Sequence, residues 1–308
     1  KISFGNEDVP VACTGDIRTL IDYNTYKTVD TSNAIFVTLF EYCRELTSAP
    51  ALPATTLAAN CYKGMFYGCT SLKEAPVLPA TTLAYHCYEQ MFVGCTSLKE
   101  APALPATTLV DGCYSRMFHE CTSLENAPAL PATDLAEYCY SDMFNRCTSL
   151  VNAPVLPATT LAPFCYVGMF NACTSLVNAP ELPATTLASN CYWYMFKGCT
   201  SLEVAPELSA TTLVNACYRS MFQRCTSLVT APVLPATTLA NYCYADMFNG
   251  CTSLNEITML ATDISATYCL GDWVKGVPAT GTFTKAASMT TLPTGDSGIP
   301  TGWTVVNQ

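Results

Sequence analysis

Leu83-Ala84-Tyr85-His86-Cys87-Tyr88-Glu89-Gln90-Met91-Phe92-Val93-Gly94-Cys95-Thr96-Ser97-Leu98-Lys99-Glu100-Ala101-Pro102-Ala103-Leu104-Pro105-Ala106-Thr107-Thr108 is one copy of a 26-residue unit that recurs without a gap along most of the chain. Two cysteine columns keep its register. Cys61, Cys87, Cys113, Cys139, Cys165, Cys191, Cys217, Cys243 and Cys269 form the first, and Cys43, Cys69, Cys95, Cys121, Cys147, Cys173, Cys199, Cys225 and Cys251 the second. A fixed period of this length means a solenoid, in which each unit buries its apolar side only against its neighbours.

Within the unit, the constant apolar residues are Leu83, Ala84, Cys87, Tyr88, Met91, Phe92 and Cys95, and the residues between them vary from copy to copy. This grouping predicts an amphipathic helix of about three turns with a solvent face. Thr82, Thr108, Thr160, Thr186, Thr212 and Thr238 precede the first apolar residue, with Asp134 in the same column. Thr and Asp share the ability to cap a helix through a side-chain oxygen, so the column is the expected N-cap. Gly68, Gly94, Gly198 and Gly250 stand where a left-handed C-cap would, though Glu120, Arg146, Ala172 and Arg224 fill the same column elsewhere. Leu98, Ala101 and Leu104 are expected to point inward from a strand kept short by Pro102 and Pro105. The predicted fold is therefore α/β: helix-plus-short-strand units wound into a right-handed solenoid.

The ends depart from the pattern as caps do. Residues 1–34 lack the repeat and are the expected N-terminal cap, with turns at Thr14-Gly15-Asp16 and Thr31-Ser32-Asn33. Residues 35–278 are the expected solenoid: a degenerate first unit at 35–56, eight full units at about 57–264, and a degenerate last unit at 265–278. Residues 279–308 turn to Gly, Pro and Thr, ending Gly302-Trp303-Thr304-Val305-Val306, and read as a C-terminal cap or the start of another module.

Half of the 308 residues are hydrophobic and 12% are charged, with a net charge of −10. That balance argues against nucleic acid and anionic membranes as partners, because both demand Lys and Arg clusters. No apolar run is long enough for a transmembrane helix. The chain starts at Lys1 rather than Met, which suits a mature form whose secretion signal has been removed. Cysteines eight residues apart on a helix lie about 12 Å apart, too far for a disulfide. Bridges between stacked units remain geometrically conceivable. The expectation is that the columns are small buried hydrophobes. Their spacing, without a histidine column, does not resemble a zinc site, and no metal or cofactor is expected.

The string Cys-Thr-Ser-Leu-x-x-Ala-Pro-x-Leu-Pro-Ala-Thr-Thr-Leu-Ala, best seen at residues 69–84, resembles the bacterial surface leucine-rich repeats of the BspA-like, Treponema type. Phe66, Cys69, Leu72 and Pro79 fill the places of that family's Phe, Cys-x-x-Leu and strand-ending Pro. The resemblance covers about residues 35–277. The unit here is longer, adds Pro76 and its equivalents, and adds the first cysteine column. It looks most like gut Bacteroidetes variants, and Gly298-Ile299-Pro300-Thr301-Gly302-Trp303 looks like the endings of such surface proteins. The resemblance implies a leucine-rich-repeat solenoid, export or surface display, adhesin-like binding of host matrix, host cells or other bacteria, and no shared catalytic residues; the expected partner is a host extracellular-matrix or cell-surface protein, or a glycan. Anaerobic surroundings would keep the thiols reduced.

Catalytic candidates are few. His86 and His119 both occupy variable columns, and His86 beside Cys87 on a helix would point away from it. No phosphate loop, nucleophile elbow or metalloprotease signature occurs. Two faces are left for binding. On the strand face one column reads Lys73, Lys99, Glu125, Val151, Val177, Glu203, Val229, and another Val77, Ala103, Ala129, Val155, Glu181, Glu207, Val233. Val151, Val155 and Val177 form an apolar centre beside acidic Glu181, Glu203 and Glu207. On the predicted helix face, Trp193 and Tyr194 replace residues such as Lys63 and Gly64, and exposed aromatics suit interface cores and sugar stacking. Tyr138, Phe164 and Tyr242 share the column before the first cysteine. The expected function is non-catalytic recognition at the bacterial surface or outside the cell. The alternative, favoured by the uniformity of the repeats, is a structural spacer that projects another domain.

Overall fold

The computed structural model describes Ile2, residues 9–28 and residues 36–308. The turn expected at Thr31-Ser32-Asn33 lies outside the described residues. A solenoid of stacked coils is present, but its units are not helix plus strand. Among the described residues there is no α-helix, only 3-10 turns at Ile17–Leu20 and Tyr26–Thr28. The α/β class and the three helical turns per unit are therefore corrected.

A ladder of four-residue turns stands in the helix's place. Cys61, Lys63, Met65, Tyr67 and Cys69 each donate an N–H to the carbonyl three residues back (3.1–3.3 Å). The alternate residues Asn60, Tyr62, Gly64, Phe66 and Gly68 donate to Tyr85, Cys87, Glu89, Met91 and Val93 of the next coil (2.7–2.9 Å). Every fourth residue is left-handed: Asn60, Gly64 and Gly68 at φ 57°, 58° and 69°, then His86, Gln90 and Gly94, and so on to Tyr268, Asp272 and Gly276. A left-handed residue ends each turn before an α-helical bond can form, which frees the alternate N–H groups to point along the stack. The expected C-cap glycines are thus the third left-handed position of each unit, and Arg146 (φ 61°) and Ala172 (φ 57°) adopt it too.

The physical reason is the period. An α-helix turns 3.6 residues per round, so apolar pairs spaced by four drift about 40° per step and would have rotated about 120° from Leu83 to Cys95. A four-residue turn ladder keeps them all on one side. Cys87, Tyr88, Met91, Phe92, Cys95 and Leu98 are each no more than 1% exposed. Each buried Met or Phe contributes roughly 1.5–3 kcal/mol, which offsets the roughly 1–2 kcal/mol cost of a left-handed residue.

Equal coils place equal side chains on top of one another. Tyrosine rings run from Tyr62 to Tyr244 with centroids 5.7–6.1 Å apart. Phenylalanine rings run beside them from Phe40 to Phe248 at 5.5–5.8 Å and within 8° of parallel. Each stacked pair adds about 0.5–1.5 kcal/mol beyond burial. The second cysteine column has its own partner. Cys95 Sγ donates to the Phe66 carbonyl of the preceding coil at 3.1 Å, and the bond recurs in register up to Cys251 and Phe222 at 3.0 Å. In the first column, the Cys61 and Cys191 thiols lie 4.0 and 3.9 Å from the carbonyls of Cys87 and Cys217.

The opposite side is a parallel stack of short extended segments, mostly single bridges. Glu100, Asn126, Asn152, Asn178, Val204, Thr230 and Glu256 are joined successively. The threonine column expected to cap helices belongs to this side as well: Thr56 bridges Thr82, Thr108 bridges Asp134, and Thr160 bridges Thr186. With no helix to cap, these residues serve as extended backbone, and Leu57 donates to the Thr82 carbonyl at 3.1 Å.

At the front, β1 (Val11–Ala12) lies parallel to β2 (Leu46–Ser48). At the back, β3 (Glu256–Met259), β4 (Thr282–Lys285) and β5 (Thr304–Asn307) form a parallel sheet in the order β3-β4-β5, continuing the bridge column. Trp273 follows Phe248 in the ring stack at 6.0 Å, and its indole N–H donates to the Gly298 carbonyl at 2.8 Å.

Candidate functional site

The strand face and the turn face are the two surfaces whose side chains change from coil to coil. On the strand face the proline-flanked residues stand off the backbone. Val155 is 78% exposed and Val151 47%, while Val177 is half-buried. Glu181, Glu203 and Glu207 are exposed. Two of the three share a cavity. Glu181 and Glu207 line a shallow groove of about 490 Å³ with Pro180, Pro183, Pro206 and Ser209. A second groove of about 280 Å³ shares Pro206, Glu207 and Ser209 and reaches Val233 and Pro235. Ser209 stands where Pro79, Pro105 and Pro183 stand in other coils, adding a hydroxyl between the two grooves. Neither groove includes Val151, Val155, Val177 or Glu203. Toward the front, Lys73, Glu74, Lys99 and Glu100 line another groove of about 540 Å³. The face thus passes from mixed charge through an apolar middle to an acidic stretch. Val77 (77%) and Val204 (61%) extend its exposed apolar surface beyond the valines singled out above.

On the turn face, Trp193 and Tyr194 are half-buried rather than freely exposed. Their rings pack on each other at 4.8 Å. The Arg219 guanidinium lies 5.3 Å from the Trp193 ring and 5.6 Å from the Tyr242 ring, and the Lys197 ammonium 4.4 Å from Tyr194. Such cation–π contacts contribute about 0.5–2 kcal/mol each. Arg219 and Lys197 went unnoticed in sequence because they sit 26 and 3 residues away, and only the repeat register brings the first of them against Trp193. Tyr138 and Phe164 stack at 4.6 Å, and Tyr242 and Tyr268 at 5.7 Å.

The histidines engage neighbouring carboxylates. His86 Nδ1 lies 2.5 Å from Glu89, which also takes Lys63 at 2.7 Å, and His119 Nε2 lies 3.5 Å from Glu120. Burial holds the His119 pKa below its usual value. Cys87 follows His86 in the chain but points into the core, where burial pushes its thiol up to about 11. A thiol so placed is a poor nucleophile. Among the described residues no group of three or more His, Cys, Asp or Glu side chains is arranged to hold a metal ion, and no helix is long and apolar enough to cross a membrane.

A family model described as BspA type leucine rich repeat region (6 copies) matches residues 33–177 and 166–269. Comparisons with curated proteins and with solved structures returned no significant match.

Proposed function

Because the chain belongs to the BspA-type leucine-rich repeat family, we propose that it is a non-catalytic, adhesin-like recognition protein, displayed on a bacterial surface or secreted, that binds a host or bacterial protein or glycan. The observation that carries this reading is the exposed apolar strip of the strand face, above all Val155 at 78% exposure beside Val151. The core columns leave the fold no need for valine there, since Ala103 and Ala129 serve in the same column. Beside the strip, Glu181, Glu203 and Glu207 favour a partner that sets basic residues around an apolar contact. A backbone cross-linked coil to coil loses little entropy on binding, so many small contacts can sum to useful affinity.

The test is binding of residues 1–308 to fibronectin, fibrinogen and mucin at physiological salt, with Val155→Lys and Trp193→Ala beside the parent. Saturable binding weakened at least tenfold by Val155→Lys, and unchanged by Trp193→Ala, is the expected result. Loss in Trp193→Ala alone would move the site to the turn face. The continuous ladder also suits a spacer that projects another domain, and absence of binding by a folded parent favours that reading.

A further inference from the structure

At the back of the turn face, a cavity of about 380 Å³ brings together Arg219, Tyr242, Asp246, Tyr268, Asp272 and Ser297. We infer that this cavity is a saccharide-binding site for a neutral hexose or hexosamine unit, with the Tyr268 ring as its platform. The inference rests on the recognition reading in general but not on Val155, so failure of the strand face leaves it standing.

The platform comes first. Tyr268 is 69% exposed and lies within 7° of parallel to Tyr242, so its neighbour supports the ring while most of its surface faces solvent. The fold does not require an aromatic in this column, because Asn60, Gly112, Asn190 and Ala216 occupy it in other coils at the same left-handed backbone. A flat, supported, amphipathic ring suits the C–H face of a pyranose, which is apolar on its face and polar on its rim.

The rim of the cavity supplies the polar half. Asp246 and Asp272 sit one above the other in successive coils, where the Asp246 N–H donates to the Gly271 carbonyl at 2.8 Å. Their carboxylates are acceptors for sugar hydroxyls. Asp246 is held by the Asn249 amide at 3.0 Å, and the Asp272 backbone N–H donates to Ser297 Oγ at 3.0 Å, which ties the C-terminal segment to the cavity wall. Arg219 contributes donors. Its guanidinium is held between the Trp193 and Tyr242 rings at the wall of the cavity.

Charge separates this ligand from a cationic one. Arg219 and Lys275, whose ammonium lies 3.4 Å from Asp272, balance the two aspartates. A locally neutral site with an open ring favours a neutral polyol over a lysine side chain. The volume falls within the range of about 300–1,000 Å³ usual for small-molecule sites.

The experiment is saturation-transfer NMR and titration of residues 1–308 with methyl β-galactoside, methyl α-mannoside and N-acetylglucosamine, with lysine methyl ester as the cationic probe. Tyr268→Ala and Asp272→Asn are compared with Tyr138→Ala, which changes the same column outside the cavity. Thermal melting confirms that each variant folds as the parent does. The expected result is that at least one sugar binds, weakened tenfold or more by Tyr268→Ala and Asp272→Asn, unchanged by Tyr138→Ala, and insensitive to added salt. Binding of none of the sugars, sugar binding that survives Tyr268→Ala, or salt-sensitive binding of the lysine ester alone would each overturn the inference.

Discussion

A cysteine in the second column does two things that no other small residue does together. It fills the space between stacked phenylalanines, and it donates a weak hydrogen bond to the carbonyl of the preceding coil, as Cys147 does to Phe118 at 3.0 Å. The first task makes it a small hydrophobe, which the composition and spacing already suggested. The second was hidden, because nothing in a single unit shows that the acceptor lies 29 residues back. Burial holds these thiols in the protonated form, with Cys69 and Cys199 pushed up to about 12, and the tyrosine ladder rises for the same reason. Thiols of the unfolded chain ionise at about 8.5. As the pH rises above that value the unfolded state sheds protons that the folded state retains, so stability falls with pH. The thermal midpoint should be nearly level up to about pH 7.5 and fall steadily from about pH 8 to 11. A midpoint unchanged over that window would contradict buried, protonated columns.

At the scale of the element, the turn ladder shows how far an apolar pattern can be read. The pairs at four-residue intervals correctly separate core from solvent, and the stacking of units follows from their repetition. The helix expected from this spacing does not form, because three successive steps of four from Leu83 to Cys95 exclude a straight helical stripe. The column of Gly94, Glu120, Arg146 and Ala172 held the other clue, since a glycine-enriched position recurring mid-turn marks left-handed backbone. Ala172→Gly relieves left-handed strain and should stabilise by roughly 0.5–1 kcal/mol, net of the entropy glycine gains when unfolded. Gly94→Ala meets no atom closer than 3.8 Å, so its cost is that of φ alone. It should destabilise by roughly 1 kcal/mol in urea unfolding. A right-handed, helix-interior conformation in this column would reverse both signs.

At the scale of the molecule, equal coils make length adjustable. Removing residues 135–160 deletes one whole period and should leave a folded protein whose urea m-value is lower in proportion to the surface lost. Removing residues 135–147 instead offsets the tyrosine and cysteine stacks and should abolish cooperative unfolding. Circular dichroism and urea titration of the two deletions distinguish an additive stack from a single globular core. The architecture of repeats was legible throughout the sequence, whereas the clustering of Arg219, Tyr242, Tyr268 and Ser297 was not, because it depends on how the last coils meet the C-terminal segment. In the turn face, the N–H groups that cross between coils all point from an earlier coil to a later one. Their amide dipoles therefore add along the stack as they do along a helix. The turn face thus has an electrical head and tail, with outward carbonyls at the front and outward N–H groups at the back. Both are answered: Ile2 donates to the Leu39 carbonyl at the front, and Asp296 and Ser297 accept from Val274 and Asp272 at the back. Trimming either terminal segment would therefore uncover one pole of the stack, bare acceptors at the head or bare donors at the tail.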